Sequence, residues 1–428
     1  MNLAFKYPIV YWNCACLIVD SGSVGSGTDY NKIAIAIGKM RKANIKVSLP
    51  DINQSDFGFK PDEKNNRILC GLKSLANVGD EVVIKTIDNR PYVSPKDYLD
   101  KVHPNKQAMI SLIKGGAFDS LMDRKLCMAW YIWETCNKKS KINLQNMSGL
   151  IRYNLLPEET EEQVMARRVY EFNRYLKSSF KQGDKYILTN RAISFLNELG
   201  IEPSFDSGLY LPIKKWEKVY QKWMDVFREW MAANHDKILQ KVNDNVFRED
   251  WEKYALGNYS SWEMQSLCFY YHEHELAHVN NNLYGFADFS KLPEEPEIVK
   301  TFGSGGKIFQ LHTICGTCIA KDKNKSTVSL LTTTGVVNIK FRKEYFSIFD
   351  KRISEIGADG TKHCIEESWF SRGSMIAVQG IRSGDNFVPK KYKSSNSHEL
   401  YKIDKVYPDG RLALRHDRYK GEESESND

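Results

Sequence analysis

The chain has 428 residues, of which 42% are apolar and 27% charged; 61 Lys and Arg against 54 Asp and Glu give a net charge of +7. This is ordinary globular composition, so a fibrous or wholly disordered chain is excluded, and at ~150 residues per domain the length predicts about three domains. No stretch approaches the ~18 uninterrupted apolar residues of a membrane span, and nine irregularly spaced cysteines suit a reduced cytosol better than a disulfide framework.

Residues 7–19 read as a helix. Pro8, Asn13, the single preceding Lys6 and the lack of an Ala-x-Ala site argue against a signal peptide. Residues 21–28 (SGSVGSGT) form a Gly/Ser loop. Tyr30 to Asn44 carries Ile33, Ile37, Met40 and Arg41 at helical spacing, and Ile45 to Leu49 is a short strand candidate stopped by Pro50. Leu69, Leu72, Leu75 and Val78 space as one helix ending at Gly79, and Val82 to Ile87 starts another. Met109, Leu112 and Ile113 form a third helix, which stops at Gly115-Gly116. GLKSLANVGDEVV and MISLIKGGAFDSL therefore each read as helix, tight glycine turn, helix.

Asn143 to Tyr254 is strongly helical. Trp216, Tyr220, Trp223, Phe227 and Trp230 share one stripe, which reads as core or a helix seam ahead of a base-stacking surface. Beyond the linker Leu292–Glu297 the apolar period becomes two. Strand candidates are Ile314–Ala320, Thr327–Thr332, Val336–Phe341, Met375–Ile381 and Asn386–Tyr392, with a short helix, Glu344–Phe349, after the third. That is the element order of an OB barrel. The tail Gly421–Asp428 is polar and acidic and is expected to be disordered.

A glycine hairpin between helices points backbone N–H groups at the positive end of the following helix, a cradle for phosphate oxygens that reads no base sequence. The candidate duplex contacts are Lys73, Asn77, Val78 and Gly79 on the first hairpin, and Lys114, Gly115 and Gly116 on the second; plain helix packing is the rival reading. Between residues 307 and 393 there are fifteen Lys and Arg against eight Asp and Glu, an excess as large as that of the whole chain. Lys321, Lys323, Lys325, Lys340, Arg342 and Lys343, with Phe341, Tyr345, Trp369 and Tyr392 for stacking, suit single-stranded nucleic acid; a solvated face beside a partner domain is the alternative.

Three decoys accompany these. His274 to His278 (HELAH) matches the zincin string, but no third ligand is evident. Cys315 and Cys318 form a CxxC inside a predicted strand with no second pair. Asp51 and Asp56 frame an acidic segment, yet Asn53 stands where a two-metal pair needs a carboxylate, so the segment reads as a structural turn.

Taken in order, these phrases resemble the C-terminal portion of the alpha subunit of bacterial DNA polymerase III, the family C replicative polymerases. LAFKYPIVYWNCACL resembles the fingers helix that opens with a Tyr-Pro pair, here Tyr7-Pro8. MRKANIKVSLPDINQSDFGF resembles the family's Pro-Asp-Val-Asn segment, and GLKSLANVG and SLIKGGAFDSL the two halves of its helix-hairpin-helix module. WEMQSLCFYYHEHEL resembles the segment before the OB domain, with Glu275 where proline is usual after the histidine at His274. Ser140 to Glu249 has no counterpart in the cellular enzymes, which hints at a phage or mobile-element version. Gln265 to Phe269 (QSLCF) is the nearest thing to a sliding-clamp peptide, with Cys268 in place of the aliphatic anchor.

The resemblance implies an α+β multidomain chain. Its parts are the end of the fingers (1–60), a helix-hairpin-helix module (61–139), a helical insertion (140–249), a connecting segment (250–300), an OB domain (301–415) and an acidic tail (416–428). In this family the palm carboxylates precede everything found here. The chain is therefore expected to bind no metal or cofactor itself and to work with a separate palm-bearing polypeptide that holds Mg²⁺ and deoxynucleoside triphosphates. Expected partners are duplex and single-stranded DNA, that palm polypeptide, and a sliding clamp or other replisome proteins, in the cytoplasm of a bacterium or phage-infected bacterium and away from membranes. The rivals are a stand-alone single-strand-binding accessory protein and a zinc hydrolase using His274, Glu275 and His278.

Overall fold

The structure is a computed structural model that describes residues 8–21, 28–206, 208–303, 305–356, 362–392 and 398–418. Most of the Gly/Ser loop and the acidic tail from 419 onward lie outside the described residues. Two compact units are present: residues 1–128 with 257–428, and residues 129–256.

In the first unit, α1 (Ile9–Asp20) buries Val10, Cys14 and Leu17, and α2 (Tyr30–Lys42) buries Ile33, Ile37 and Met40, as their spacing predicts. Strand β1 (Lys46–Ser48) pairs in parallel with β3 (Arg67–Leu69), and β2 (Lys60–Asp62) pairs antiparallel with β3 on its other side. Between them, Oδ1 of Asp51 accepts the amides of Asn53 (2.8 Å) and Gln54 (3.0 Å), and the side chain of Asn53 exchanges two hydrogen bonds with the backbone of Tyr92. Asp56 pairs with Lys60. This is the structural turn expected from the sequence, with its carboxylates already engaged.

The helix expected from Leu69 to Val78 does not form. Leu69 ends β3, Leu72–Ser74 is one 3₁₀ turn, Leu75 is extended, and Asn77 has φ +63°. The amides of Leu72 and Lys73 donate to the carbonyls of Asp56 and Phe57, and that of Ala76 to Ser266, so contacts distant in sequence replace helical ones. Leu72, Leu75 and Val78 are buried without a helix, while on the strand it is Ile68 rather than the half-buried Leu69 that points into the core. Gly79 consequently begins a helix rather than ending one: it precedes α3 (Asp80–Asp88). Next come α4 (Pro95–Val102), α5 (Lys106–Lys114) and α6 (Arg124–Thr135), and α5 stops at Gly115-Gly116 as predicted.

The second unit contains α7 (Glu161–Ser179), β4 (Lys181–Gln182), β5 (Lys185–Ile187), α8 (Asn190–Glu198), β6 (Ser204–Phe205), β7 (Leu209–Pro212), α9 (Ile213–Ala233) and α10 (His235–Tyr254). Its four short strands, in the order β4-β5-β7-β6, were not legible among the helices. The aromatic stripe of α9 is core: Trp216 and Phe227 are fully buried, with Tyr220, Trp223 and Trp230 packed around them, and the indole of Trp216 donates to Asn173.

The chain re-enters the first unit with α11 (Tyr259–Ser266) and then the ribbon β8 (Ile298–Thr301) and β9 (Lys307–Phe309). The barrel strands are β10 (His312–Asp322), β11 (Thr327–Leu331), β12 (Val336–Lys340), β15 (Met375–Ser383) and β16 (Asn386–Pro389), with α12 (Lys343–Asp350) and the hairpin β13 (Ile353–Ile356)–β14 (Lys362–Glu366) between β12 and β15. Neighbours run β10-β11-β12-β16-β15, and β15 pairs back to β10, which closes the ring. β12 and β16 are parallel and the other barrel pairs antiparallel, the OB arrangement. Two strands absent from the sequence reading, β17 (Leu400–Val406) and β18 (Leu412–Arg415), extend the sheet from β15. Ile314, Cys318, Val328, Leu330, Ile339 and Phe387 are among the residues that fill the interior. The fold is thus α+β, with a C-terminal OB-like barrel.

Candidate nucleic-acid interface

The first hairpin presents open backbone. Asn77 and Gly79 are exposed, Val78 turns its side chain into the core, and a Cβ on Gly79 would meet nothing within 4 Å. Among the described residues the amides of Asn77 and Gly79 have no backbone acceptor, and they stand at the start of α3, where the helix dipole adds positive potential. Lys73 lies beside them but is ion-paired to Asp80 at 2.5 Å. Asp80 and Glu81 in the first turn of α3 offset part of that potential.

The second hairpin is different. Lys114, Gly115 and Gly116 are all buried. The amides of Gly115 and Gly116 donate to the carbonyls of Ser111 and Ile113, so they are spent within the turn. A Cβ on Gly115 would lie 2.3 Å from Cδ2 of Leu75, which shows that the hairpins pack on each other through this glycine. Gly116 needs its φ of +80°, and a Cβ there would meet the Arg124 guanidinium at 2.5 Å. Lys114 donates to Oε1 of Gln265 at 2.6 Å, and burial pulls its ammonium down to about 8. The amides and lysine expected to grip phosphate on this hairpin instead hold the module together.

The centre of that assembly escaped the sequence reading. Arg124 and Glu263, both buried, pair at 3.0 Å. Arg124 also donates to both carboxylate oxygens of Asp119 and to the carbonyl of Lys114, and lies over the ring of Tyr259. Glu263 accepts the amides of Tyr271 and His272, each at 2.9 Å. The one available signal was an acid inside an otherwise buried helical phrase, Trp262-Glu263-Met264.

On the barrel the predicted cations divide in two. Lys321 and Lys323 both pair with Asp350, and Lys325 with Asp322. Lys340, Arg342 and Lys343 are exposed, with no carboxylate in ion-pair range among the described residues. They bracket the end of β12 and the start of α12. Phe341 and Trp369 are not available for stacking. Phe341 is buried against Phe370, and Trp369 is buried with its indole N–H on Glu366. Tyr345, half-buried, and Arg342 border a cleft of about 420 Å³ that also includes Lys391.

The decoys resolve by their bonds. His274 to His278 lies in turns, not a helix, so the i, i+4 geometry of two zinc ligands is lost. Nδ1 of His274 accepts the amide of Leu276, which leaves Nε2–H to donate to the carbonyl of Leu331 at 3.0 Å; burial pushes this imidazole down to about 4. Glu275 bonds Tyr270 and His278 pairs with Glu273. Burial raises the thiols of Cys315 and Cys318 to about 12, far from reactive thiolates. In the clamp-like QSLCF segment, Leu267, Cys268 and Phe269 are core.

A helix-hairpin-helix module joined to an OB-like barrel is an architecture for holding nucleic acid, and comparison with known proteins agrees. The helix-hairpin-helix motif family matches residues 44–126. The chain is 38% identical over 442 aligned residues to a probable DNA polymerase, YorL, of Bacillus subtilis, and equally to a DNA-directed DNA polymerase of Bacillus phage SPbeta. Each match covers 97% of this chain and 34% of the relative, so the chain spans about a third of the length of these curated relatives. The DNA polymerase III alpha subunit of Campylobacter jejuni is 27% identical over 210 residues, covering 44% of this chain and 17% of that subunit. The chain is therefore similar along nearly its whole length to part of phage and bacterial DNA polymerases, and over a shorter stretch to DNA polymerase III alpha subunits, and it carries a helix-hairpin-helix motif.

Proposed function

We propose that this chain is the DNA-holding part of a replicative DNA polymerase. The backbone around Asn77 and Gly79 grips the phosphates of product duplex, and Lys340, Arg342 and Lys343 guide single-stranded template. Nucleotidyl transfer would use palm carboxylates on a separate polypeptide, which would hold Mg²⁺ and deoxynucleoside triphosphates; the ion would supply charge neutralisation at the phosphates. Within this chain the nearest acidic candidate is a poor fit for that ion, since Asp51 caps amides and Asp56 is paired with Lys60. The observation that carries the reading is the presence in one compact unit of an open first hairpin and a closed barrel edged by cations with no carboxylate in range among the described residues.

The test combines binding and extension assays. Charge reversal of Lys340, Arg342 and Lys343 together should weaken single-strand binding by about tenfold or more at low salt and affect duplex binding less. Equal loss on both substrates contradicts the division of labour. The purified chain should extend a primed template only when a palm-bearing polypeptide is added, and robust extension by the chain alone would refute the split. Localisation with the replication machinery in the cytoplasm follows from the same reading.

A further inference from the structure

The ribbon formed by β8 and β9 cannot stand on its own packing. All four residues of β8 are exposed, Ile298 and Val299 among them, as is Phe302 just beyond its end, and an isolated two-stranded ribbon is marginal in water. Its chemistry is uneven. From Ile298 to Phe309 it carries Lys300 and Lys307 and no acid; Glu294, Glu295 and Glu297 precede it, and Glu294 is turned toward Arg382.

Aromatic rings and ammonium groups alternate along the ribbon and the strand end beside it. Lys300 Nζ lies 5.3 Å from the ring centre of Phe302, and Lys390 Nζ 4.4 Å from that of Phe309 and 5.8 Å from that of Tyr392. The Phe309 amide donates to the Tyr392 hydroxyl at 2.6 Å, which ties the ribbon to the end of β16. Among the described residues Lys300, Lys307, Lys390 and Lys391 have no carboxylate in ion-pair range, unlike Lys321, Lys323 and Lys325.

We propose that this ribbon, with Lys390 and Tyr392, is an arm that holds unpaired DNA: bases stack on Phe302 and Phe309 while Lys300, Lys307 and Lys390 meet the phosphates. Stacking of this kind needs bare base faces, which a duplex covers, so the ligand is single-stranded. An apolar protein surface would suit Ile298, Val299 and Phe302 but would leave four lysines without counter-charges. The inference rests on the reading that the barrel side of the chain holds single strands, and it assigns residues outside the set proposed above.

The experiment measures binding of a fluorescent oligo(dT) of about 20 nucleotides to the full chain by anisotropy across a salt series. Lys300→Glu/Lys307→Glu should weaken binding about tenfold or more and lower the slope of log affinity against log salt by about 1.4, as expected for two lost phosphate contacts. Phe302→Ala should weaken binding about fivefold or more with the slope unchanged. These side chains are exposed, so the variants should fold; matching melting curves check this, and Lys300→Gln/Lys307→Gln serves as a milder pair. If the ribbon variants bind like wild type while reversal of Lys340, Arg342 and Lys343 weakens binding, the arm is refuted and the barrel reading stands. If wild type binds no oligo(dT), both fail. Equal loss on a duplex of the same length overturns the stacking role.

Discussion

Lys114 donates to Oε1 of Gln265 at 2.6 Å across 151 residues of sequence, and the residue is 8% exposed. Gln265 is itself exposed, so one neutral acceptor is a thin replacement for the water this charge has lost. Burial holds the group near 8 instead of its ordinary 10.5. The unfolded chain therefore binds this proton more tightly, the penalty is fully present below about pH 8, and stability rises as pH climbs from there toward 10.5. Relative to Lys114→Met, wild type should gain on the order of 2 kcal/mol between pH 8 and pH 10 in urea unfolding. Parallel curves for the two proteins would contradict the buried, weakened ammonium.

Two hairpin glycines should respond in opposite ways. Gly116→Ala places a methyl 2.5 Å from the Arg124 guanidinium at a φ of +80°, so destabilisation of about 1–3 kcal/mol is expected. Gly79 has φ −79° and open space around it, so Gly79→Ala should change stability by no more than about 0.5 kcal/mol. The same methyl would stand where a phosphate approaches, so Gly79→Ala should weaken duplex binding several-fold. Normal duplex affinity in that variant would remove the first hairpin from the interface.

His274 predicts a weakness to acid. Its imidazole is held near 4, below the ordinary 6.5, because the half-buried ring is largely desolvated and its charged form disfavoured. Unfolding lets it take up a proton, so its contribution is complete above pH 6.5 and is lost as pH falls toward 4. His274→Gln should be less sensitive over that interval, by on the order of 2 kcal/mol. Chelators should leave the melting temperature of wild type unchanged. A zinc-dependent shift would revive the HELAH reading.

The barrel was legible because its interior strands alternate cleanly, as in Val328, Leu330, Val337 and Ile339, and because α12 interrupts them at the OB position. β17 and β18 were not, since a bulge between Ile403 and Lys405 breaks the period of two. The helix expected from Leu69 to Val78 failed on a subtler point: side-chain spacing does not say where amides find acceptors, and here they find Asp56, Phe57 and Ser266. Charge was misjudged for a related reason. Lys321 and Lys323 read as free cations until folding brings up Asp350, and Lys114 reads as a surface lysine until α11 covers it.

The dependence on α11 bears on how the molecule is made. The motif matched at 44–126 contains neither Gln265 and Glu263, which receive Lys114 and Arg124, nor Ser266, which bonds Ser111 and the amide of Ala76. During synthesis the ribosome must deliver about 140 further residues after Arg124 before Lys114 meets Gln265 and Arg124 meets Glu263. Until then Lys114 has no acceptor and Arg124 has only the carboxylate of Asp119 as counter-charge, and a fragment trimmed to the motif boundaries would keep that defect permanently.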